Sequence, residues 1–109
     1  MIFIVVKWKT KPEWSERWLD LVADFTAATR AEPLNLWFEW SRSVDNPNEY
    51  VLVEAFADGG AQPHVSSEHF RQAMLDMPQA LVEKPKIVST VIEGATDWSE
   101  MGELDVPND

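Results

Sequence analysis

The side chains best suited to chemistry are concentrated between His64 and Phe70. This segment, HVSSEHF, contains both histidines of the protein, two serines and a glutamate. A histidine side chain titrates near neutral pH, so it can take a proton from a hydroxyl group and return it later. The segment is therefore the first candidate for a catalytic or ligand-binding site, although either histidine could instead cap a helix or pack against a strand.

A metal site built from the two histidines is disfavoured by their spacing. His64 and His69 are five residues apart, which places them about 140° apart on one continuous helix, whereas a helical metal pair shares a face at a separation of four. His64 and Glu68 could share a face. One histidine and one carboxylate are a weak metal signal, so we expect no metal.

Further candidates lie on two predicted strands that neighbour each other. Glu39 and Glu54 could act as acid and base, or could form salt bridges with Arg42 or with a lysine of a partner subunit. Several large apolar residues could line a pocket for a flat ring, although each could equally be core: Phe38, Trp40, Leu52, Phe56 and Phe70. No glycine-rich phosphate loop and no G-x-S-x-G motif is found.

Four strands are expected to position these residues. Short runs of alternating or continuous apolar residues predict strands at residues 2–9, 34–42, 50–57 and 86–93. The second and third are expected to form an antiparallel hairpin across the turn at residues 45–48, which is rich in asparagine.

Two helices are expected between the strands. Thr10 and Glu13 resemble a capping box that begins a helix ending near Arg30. A second helix is predicted to begin after a cap at Ser66 or Ser67 and to end near Met77. The order β-α-β-β-α-β is that of the ferredoxin-like α+β fold, in which two helices cover one face of a four-stranded antiparallel sheet.

Composition restricts the class of protein. A chain of 109 residues with 45% hydrophobic residues is one globular domain, here residues 1–93, followed by an acidic tail at residues 94–109. A net charge of −10 disfavours nucleic acid and membrane surfaces as partners. The absence of cysteine excludes thiol chemistry. The short apolar run at the N-terminus does not resemble a signal peptide, so we expect a cytoplasmic protein.

A homodimer is expected from the composition of the strand faces. Two helices cover only one face of the sheet, yet both faces of the predicted strands carry large apolar residues. A solvated face should alternate with polar residues. We therefore expect the uncovered faces of two subunits to pack together, and we expect the tail, through Trp98, to reach the partner subunit.

The pattern of residues also resembles a known family, the antibiotic biosynthesis monooxygenase (ABM) domain family, over about residues 2–93. The resemblance rests on five short motifs: Glu32-Pro33, Trp37-Phe38-Glu39-Trp40, Asp45-x-Pro47-x-Glu49-Tyr50, Glu54-x-Phe56-x-Asp58 and His64-x-x-Ser67-x-His69-Phe70. It implies the dimeric α+β barrel, in which two ferredoxin-like subunits join through their sheets. Members of this family include cofactor-independent monooxygenases of quinols or polycyclic phenols, haem-degrading enzymes and enzymes that handle a signalling-molecule phosphate.

Three departures narrow what the resemblance implies. Leu34 replaces the glycine that usually follows Glu-Pro, and the first strand lacks the asparagine that some monooxygenase members use. The haem-degrading branch has a tryptophan at the position of His64 and its iron-ligating histidine near Met74, so haem is not expected. The resemblance implies a quinol-monooxygenase-like enzyme without a cofactor.

Because the family pattern retains the first histidine, the resemblance favours His64 as the catalytic base. The residues expected to bind a small aromatic substrate are Phe38, Trp40, Leu52, Glu54, Phe56, His69 and Phe70. Two alternatives stay open: a small-molecule binding module without turnover, and an isomerase-like enzyme on the same fold.

Overall fold

Four antiparallel strands form one sheet in the order β2-β3-β1-β4. In the computed structural model, which describes residues 1–107, the strands are β1 (Ile2–Lys9), β2 (Asn35–Arg42), β3 (Glu49–Phe56) and β4 (Lys86–Val91). The central strand β1 pairs antiparallel with both β3 and β4, and β2 and β3 form the expected hairpin. The predicted ferredoxin-like α+β architecture is confirmed, with strand ends that differ from the prediction by one or two residues.

The first helical segment is divided, which the sequence did not predict. It consists of a 3-10 turn (Pro12–Trp14) and the helices α1 (Trp18–Leu21) and α2 (Ala23–Arg30). The predicted capping box is wrong, because Thr10 Oγ1 lies 2.7 Å from Ser15 Oγ and donates to the Asn48 carbonyl at 3.2 Å. Thr10 therefore ties this segment to the turn between β2 and β3.

The second helical segment contains a break at Ser66 and Ser67. A short helix, α3 (Ala61–Val65), ends before the break, and α4 (Glu68–Asp76) begins after it. Ser67 Oγ accepts a hydrogen bond from the Phe70 amide at 3.1 Å, so the predicted serine cap of the second helix is found at this residue. The two histidines therefore lie on different helices, and the spacing argument that assumed one continuous helix is wrong.

The hydrophobic core lies between the helices and one face of the sheet. Its sheet side includes Val6, Trp8, Phe38 and Leu52, each at most 6% exposed, and its helix side is centred on the fully buried Trp18. Because paired residues of adjacent strands point to the same face, the register that pairs Phe38 with Glu54 places the carboxylate of Glu54 on this buried face. The core thus surrounds an ionisable side chain.

The opposite face of the sheet has no helix against it within the described residues. Cross-strand register places Phe3 and Val5 of β1 beside Ala55 and Val53 of β3 on this face. The ring of Trp98 packs on Trp37 of the same chain, with centroids 5.1 Å apart. Contact of the tail with a partner subunit stays a prediction, and the last two tail residues, 108 and 109, lie outside the described residues.

The helices of the described residues are all too short or too polar to cross a membrane.

Candidate functional site

An apolar cavity of about 330 Å³ lies between the buried face of the sheet and the segment from α3 to β4. Its polar residues are Glu54 of β3 and His64 of α3. The rest of its wall is apolar and consists of Ile4, Val6, Trp8, Phe25, Leu52, Val65, Phe70, Met74, Met77, Pro78, Leu81, Pro85 and Ile87. A ligand here would be surrounded by hydrocarbon and aromatic groups except at one end.

His64 stands at this polar end and is only 5% exposed. Its Nδ1 atom is 2.8 Å from Oε2 of Glu32, and its Nε2 atom is 4.0 Å from Oε1 of Glu54. The imidazole packs against two aromatic rings, with centroid distances of 4.9 Å to Phe56 and 5.2 Å to Phe70. When Glu32 is ionised it accepts a hydrogen bond from Nδ1–H of His64, so the Nε2 atom carries the lone pair and faces Glu54.

Glu54 is a buried carboxyl group without a cationic partner among the described residues. It is 5% exposed, and burial raises its pKa to about 7, with the negative charge of Glu32 as a second cause. Near neutral pH this carboxyl group is therefore divided between its protonated and ionised forms. It can donate a hydrogen bond to a ligand in one form and accept one in the other.

Glu32 connects the two histidines. It follows α2 and precedes Pro33, and its Oε2 atom accepts hydrogen bonds from Nδ1 of His64 at 2.8 Å and from Nε2 of His69 at 2.6 Å. Its Oε1 atom is buried and has no hydrogen-bond partner among residues 1–107. Sequence reasoning identified Glu32 only as a residue of the Glu32-Pro33 motif. The Glu-Pro motif was the available signal, but the contacts span 32 and 37 residues along the chain.

His69 faces a different space from His64. It lines an open groove of about 470 Å³ between α2 and α4, together with Asp24, Glu68 and Asp76. Its side chain is 25% exposed, against 6% for that of His64. His69 therefore reaches the cavity only indirectly, through its hydrogen bond to Glu32.

The cluster of Glu32, His64 and His69 resembles a metal site in composition, and its possible ligand atoms lie within 4.8 Å of one another. The expectation that the two histidines would not meet is thus wrong. Their nitrogens lie 2.8 and 2.6 Å from one carboxylate oxygen, which is hydrogen-bond spacing. Two ligands of one tetrahedral zinc ion with bonds near 2.0 Å would be about 3.3 Å apart. The donor set therefore fits a hydrogen-bonded base better than a metal centre.

Four of the sequence-predicted site residues line the cavity together: Leu52, Glu54, His64 and Phe70. Phe38 and Phe56 lie behind His64 and are at most 1% exposed. Trp40 is farther away, because its Nε1 donates to Thr26 Oγ1 at 2.9 Å and its ring packs on Trp8 and Trp18. The structure therefore brings about half of the predicted set into the cavity wall.

The hypothesis that Glu39 and Glu54 act as an acid–base pair is wrong. Glu39 pairs with Val53 in the register, so it points to the opposite sheet face from Glu54 and is exposed. Arg42, the other partner considered, forms its ion pair with Glu16 at 2.8 Å. The carboxylate that acts on Glu54 is Glu32 instead.

A four-stranded antiparallel sheet with helices on one face places the protein in the class of small ferredoxin-like α+β domains. The family model described as antibiotic biosynthesis monooxygenase matches residues 1–75. The chain therefore belongs to the ABM family. Comparison with curated proteins gave no match.

Solved structures agree with this assignment at the level of the fold. A candidate antibiotic biosynthesis monooxygenase from Deinococcus radiodurans is 19% identical, with a TM-score of 0.78 over 92% of this chain and 100% of that one. A candidate from Nitrosomonas europaea is 22% identical, with a TM-score of 0.77 over 85% and 99%. A conserved protein from Methanosarcina mazei is 21% identical, with a TM-score of 0.76 over 82% and 89%. At these identities the likeness shows the fold alone.

Proposed function

We propose that the protein is a cofactor-independent monooxygenase that oxidises a quinol or phenol with O2. One observation carries this proposal: His64 is hydrogen-bonded through Nδ1 to Glu32, whose side chain is 12% exposed, while it lines an apolar cavity beside Glu54. A carboxylate that fixes the tautomer of an imidazole makes the other ring nitrogen a positioned general base. An apolar cavity suits the aromatic ring whose hydroxyl group that base would deprotonate.

The geometry accommodates one hydroxyl group at the polar end. Because Nε2 of His64 and Oε1 of Glu54 are 4.0 Å apart, a single oxygen can lie about 2.8 Å from both atoms. His64 takes the hydroxyl proton, and the carboxylate of Glu32 stabilises the imidazolium that results. The phenolate formed in this way is electron-rich at the ring carbons, which makes it able to reduce O2.

The reaction balances without another oxidant. The phenolate transfers electrons to O2, a new C–O bond forms, and the proton held by His64 passes to the peroxide. The hydrogen on the oxygenated carbon then leaves as a proton while the O–O bond breaks. One oxygen remains on the ring as a carbonyl and the other leaves as hydroxide, which takes up that proton and becomes water. In this scheme His64 returns to its starting state in each cycle.

Oxygen uptake by hydroquinones tests this function. Wild-type protein incubated under air with a panel of benzo- and naphthohydroquinones is expected to consume O2 faster than the spontaneous rate. His64→Ala and His64→Gln should lower the catalysed rate at least 100-fold, which is within the range expected for loss of a general base. Glu39→Gln, which removes a carboxylate on the other face of the same sheet, should retain the wild-type rate.

Two results would contradict the proposal in different ways. If every hydroquinone binds but none is consumed faster than in buffer, the protein is a binding module rather than an oxygenase. If uptake is unchanged in a folded His64→Gln variant, checked by circular dichroism, the base is not His64.

The open sheet face supports a further part of the proposal, that the protein acts as a homodimer. Phe3, Val5, Val51 and Val53 are only partly buried on that face, where register places them together. Covering the exposed part of these side chains with a second copy would remove more apolar surface from water, which favours association. The sheet-to-sheet dimer implied by the family resemblance would bury all four.

A further inference from the structure

The wall of the cavity beside His64 contains a carboxyl group but no lysine or arginine among the described residues. Every described residue that lines the cavity is apolar except Glu54 and His64. A buried anion needs a cation or several hydrogen-bond donors to offset its desolvation. The cavity wall offers neither beyond the His64 ring.

The polar end of the cavity is also negatively charged. Burial and the charge of Glu32 together raise the pKa of Glu54 to about 7, so the surroundings already oppose one more negative charge at this place. Above neutral pH Glu54 is ionised as well. An anionic group next to a bound hydroxyl would then face two carboxylates, while an uncharged polar group of the same shape would meet no such repulsion.

We propose that this cavity selects uncharged fused-ring phenols and quinols, that it rejects those with a carboxylate beside the hydroxyl group, and that Glu54 imposes this selection. The inference deepens the proposed function and rests on it for the position of the hydroxyl group at the polar end. The volume of about 330 Å³ lies near the lower end of the range for small-molecule sites, which suits two or three fused rings.

Three naphthalenes separate charge from shape. The ligands 2-naphthol, 3-hydroxy-2-naphthamide and 3-hydroxy-2-naphthoate share the ring and the hydroxyl group. The amide and the carboxylate have nearly the same shape, so the ratio of their dissociation constants measures the effect of charge. At pH 8, isothermal titration calorimetry with wild-type protein is expected to show both neutral ligands binding and the carboxylate binding about 10- to 100-fold more weakly than the amide.

Two variants assign the effect to its residue. In Glu54→Gln the ratio between carboxylate and amide should fall to about threefold or less, because the glutamine keeps the shape and removes the charge. Glu32 and His64, the other titratable groups that face Glu54, remain in this variant. Glu39→Gln serves as the matched control, and its ratio should equal that of the wild type.

Lowering the pH gives the same comparison without a substitution. At pH 6 Glu54 is largely protonated in the wild type, since burial raises its pKa to about 7. The ratio between carboxylate and amide should therefore be smaller at pH 6 than at pH 8. In Glu54→Gln this part of the pH dependence should be absent.

Each failure has a separate meaning. Equal binding of amide and carboxylate at pH 8 overturns the selection, and an unchanged ratio in Glu54→Gln overturns the role of that residue. Binding of 2-naphthol alone also overturns the proposal, because shape and not charge would then select the ligand. If none of the three binds, the ligand class is wrong.

The binding test needs no turnover, so it is separate from the oxygenase test. Tight, charge-selective binding of naphthols without O2 uptake from any hydroquinone would contradict the proposed function alone. Catalysed O2 uptake together with equal binding of carboxylate and amide would contradict the selection alone.

Discussion

The carboxylate of Glu32 is the residue on which the candidate site depends. It holds His64 and His69 through one oxygen atom, and after burial its negative charge is the second cause of the raised pKa of Glu54. His64 alone would be a buried imidazole whose ring could turn and whose tautomer could exchange. The hydrogen bond to Glu32 fixes both, which is the arrangement that the proposed role of His64 as a general base requires.

Replacing Glu32 should damage activity and stability together. In Glu32→Gln the amide oxygen can take the place of Oε2 and accept both hydrogen bonds, but the NH2 group then replaces the unpartnered Oε1 as a buried donor, and the negative charge that would stabilise a His64 imidazolium is lost. We expect hydroquinone-dependent O2 uptake to fall at least tenfold and the free energy of unfolding to fall by about 1–3 kcal/mol, the cost of leaving buried polar groups unpaired. Urea unfolding and oxygen-electrode rates measure the two effects, and unchanged values for both would show that the cluster has no such role.

Glu54 should make stability depend on pH in a direction opposite to that of an ion-paired carboxylate. Its pKa is raised from 4.5 to about 7 by burial, with the charge of Glu32 as the second cause. The folded protein therefore binds more protons than the unfolded chain between these two values. The contribution of Glu54 to the free energy of unfolding is therefore complete below about pH 4.5 and is lost as the pH rises through 7.

Glu54→Gln should remove this dependence. We expect the variant to gain stability relative to the wild type by about 2 kcal/mol between pH 5.5 and pH 8, measured by urea unfolding at both values. Glu39→Gln, on the exposed face, provides the control and should show no such gain. If the difference in unfolding free energy between Glu54→Gln and wild type stays constant with pH, the pKa of Glu54 is not raised in the folded protein.

At the scale of the elements, the break between α3 and α4 decides where the histidines point. Ser67 ends the turn with two hydrogen bonds, one donated to the His64 carbonyl at 2.6 Å and one accepted from the Phe70 amide at 3.1 Å. This single side chain joins the last turn of α3 to the first turn of α4. It therefore sets the relative orientation of His64 and His69.

Ser67→Ala should lower the free energy of unfolding by about 1 kcal/mol, the usual cost of losing a serine cap. Because the cap also orients His64, the rate of O2 uptake should fall by a larger factor than the folded fraction of the protein does. Ser66→Ala is the matched control, since the Ser66 hydroxyl accepts only an exposed hydrogen bond from Gln62. Equal effects of the two substitutions would contradict this role for Ser67.

The fold could be predicted from the sequence more completely than the site. Strands are visible because alternation along β1 and β3 is a local pattern that the pairing of the sheet preserves. The division of the helices was missed because the apolar residues keep helical spacing throughout. The breaks depend instead on contacts between distant parts of the chain, such as the hydrogen bond from Thr10 to Asn48. Glu32 was missed for the same reason, because no local pattern shows which distant residues a carboxylate will meet.

At the scale of the whole molecule, the two faces of the sheet have different surroundings. One carries the core and the cavity, while the other presents partly buried apolar side chains without a helix over them in the described region. If that face joins two copies, then charge introduced there should affect association and leave the cavity intact. Only the thickness of one sheet separates the cavity on one face from the open face on the other.

Val53→Lys is the direct test of this arrangement. Val53 lies in the middle of β3 on the open face, beside Val5. Light scattering at micromolar concentration should show a dimer for the wild type and a monomer for Val53→Lys, because a buried lysine without a partner is strongly disfavoured. Val44→Lys, at a loop position that is 98% exposed, should remain a dimer. A monomeric wild type would contradict the dimer directly.

The packing of Trp98 on Trp37 also affects how two copies could meet. A second subunit that approaches the open face would touch the indole of the tail before it reaches the strand beneath. The docking surface of one subunit would thus be assembled from two distant parts of its own chain. Shortening the tail before Trp98 would change the contour that a second copy meets, even though every strand kept its register.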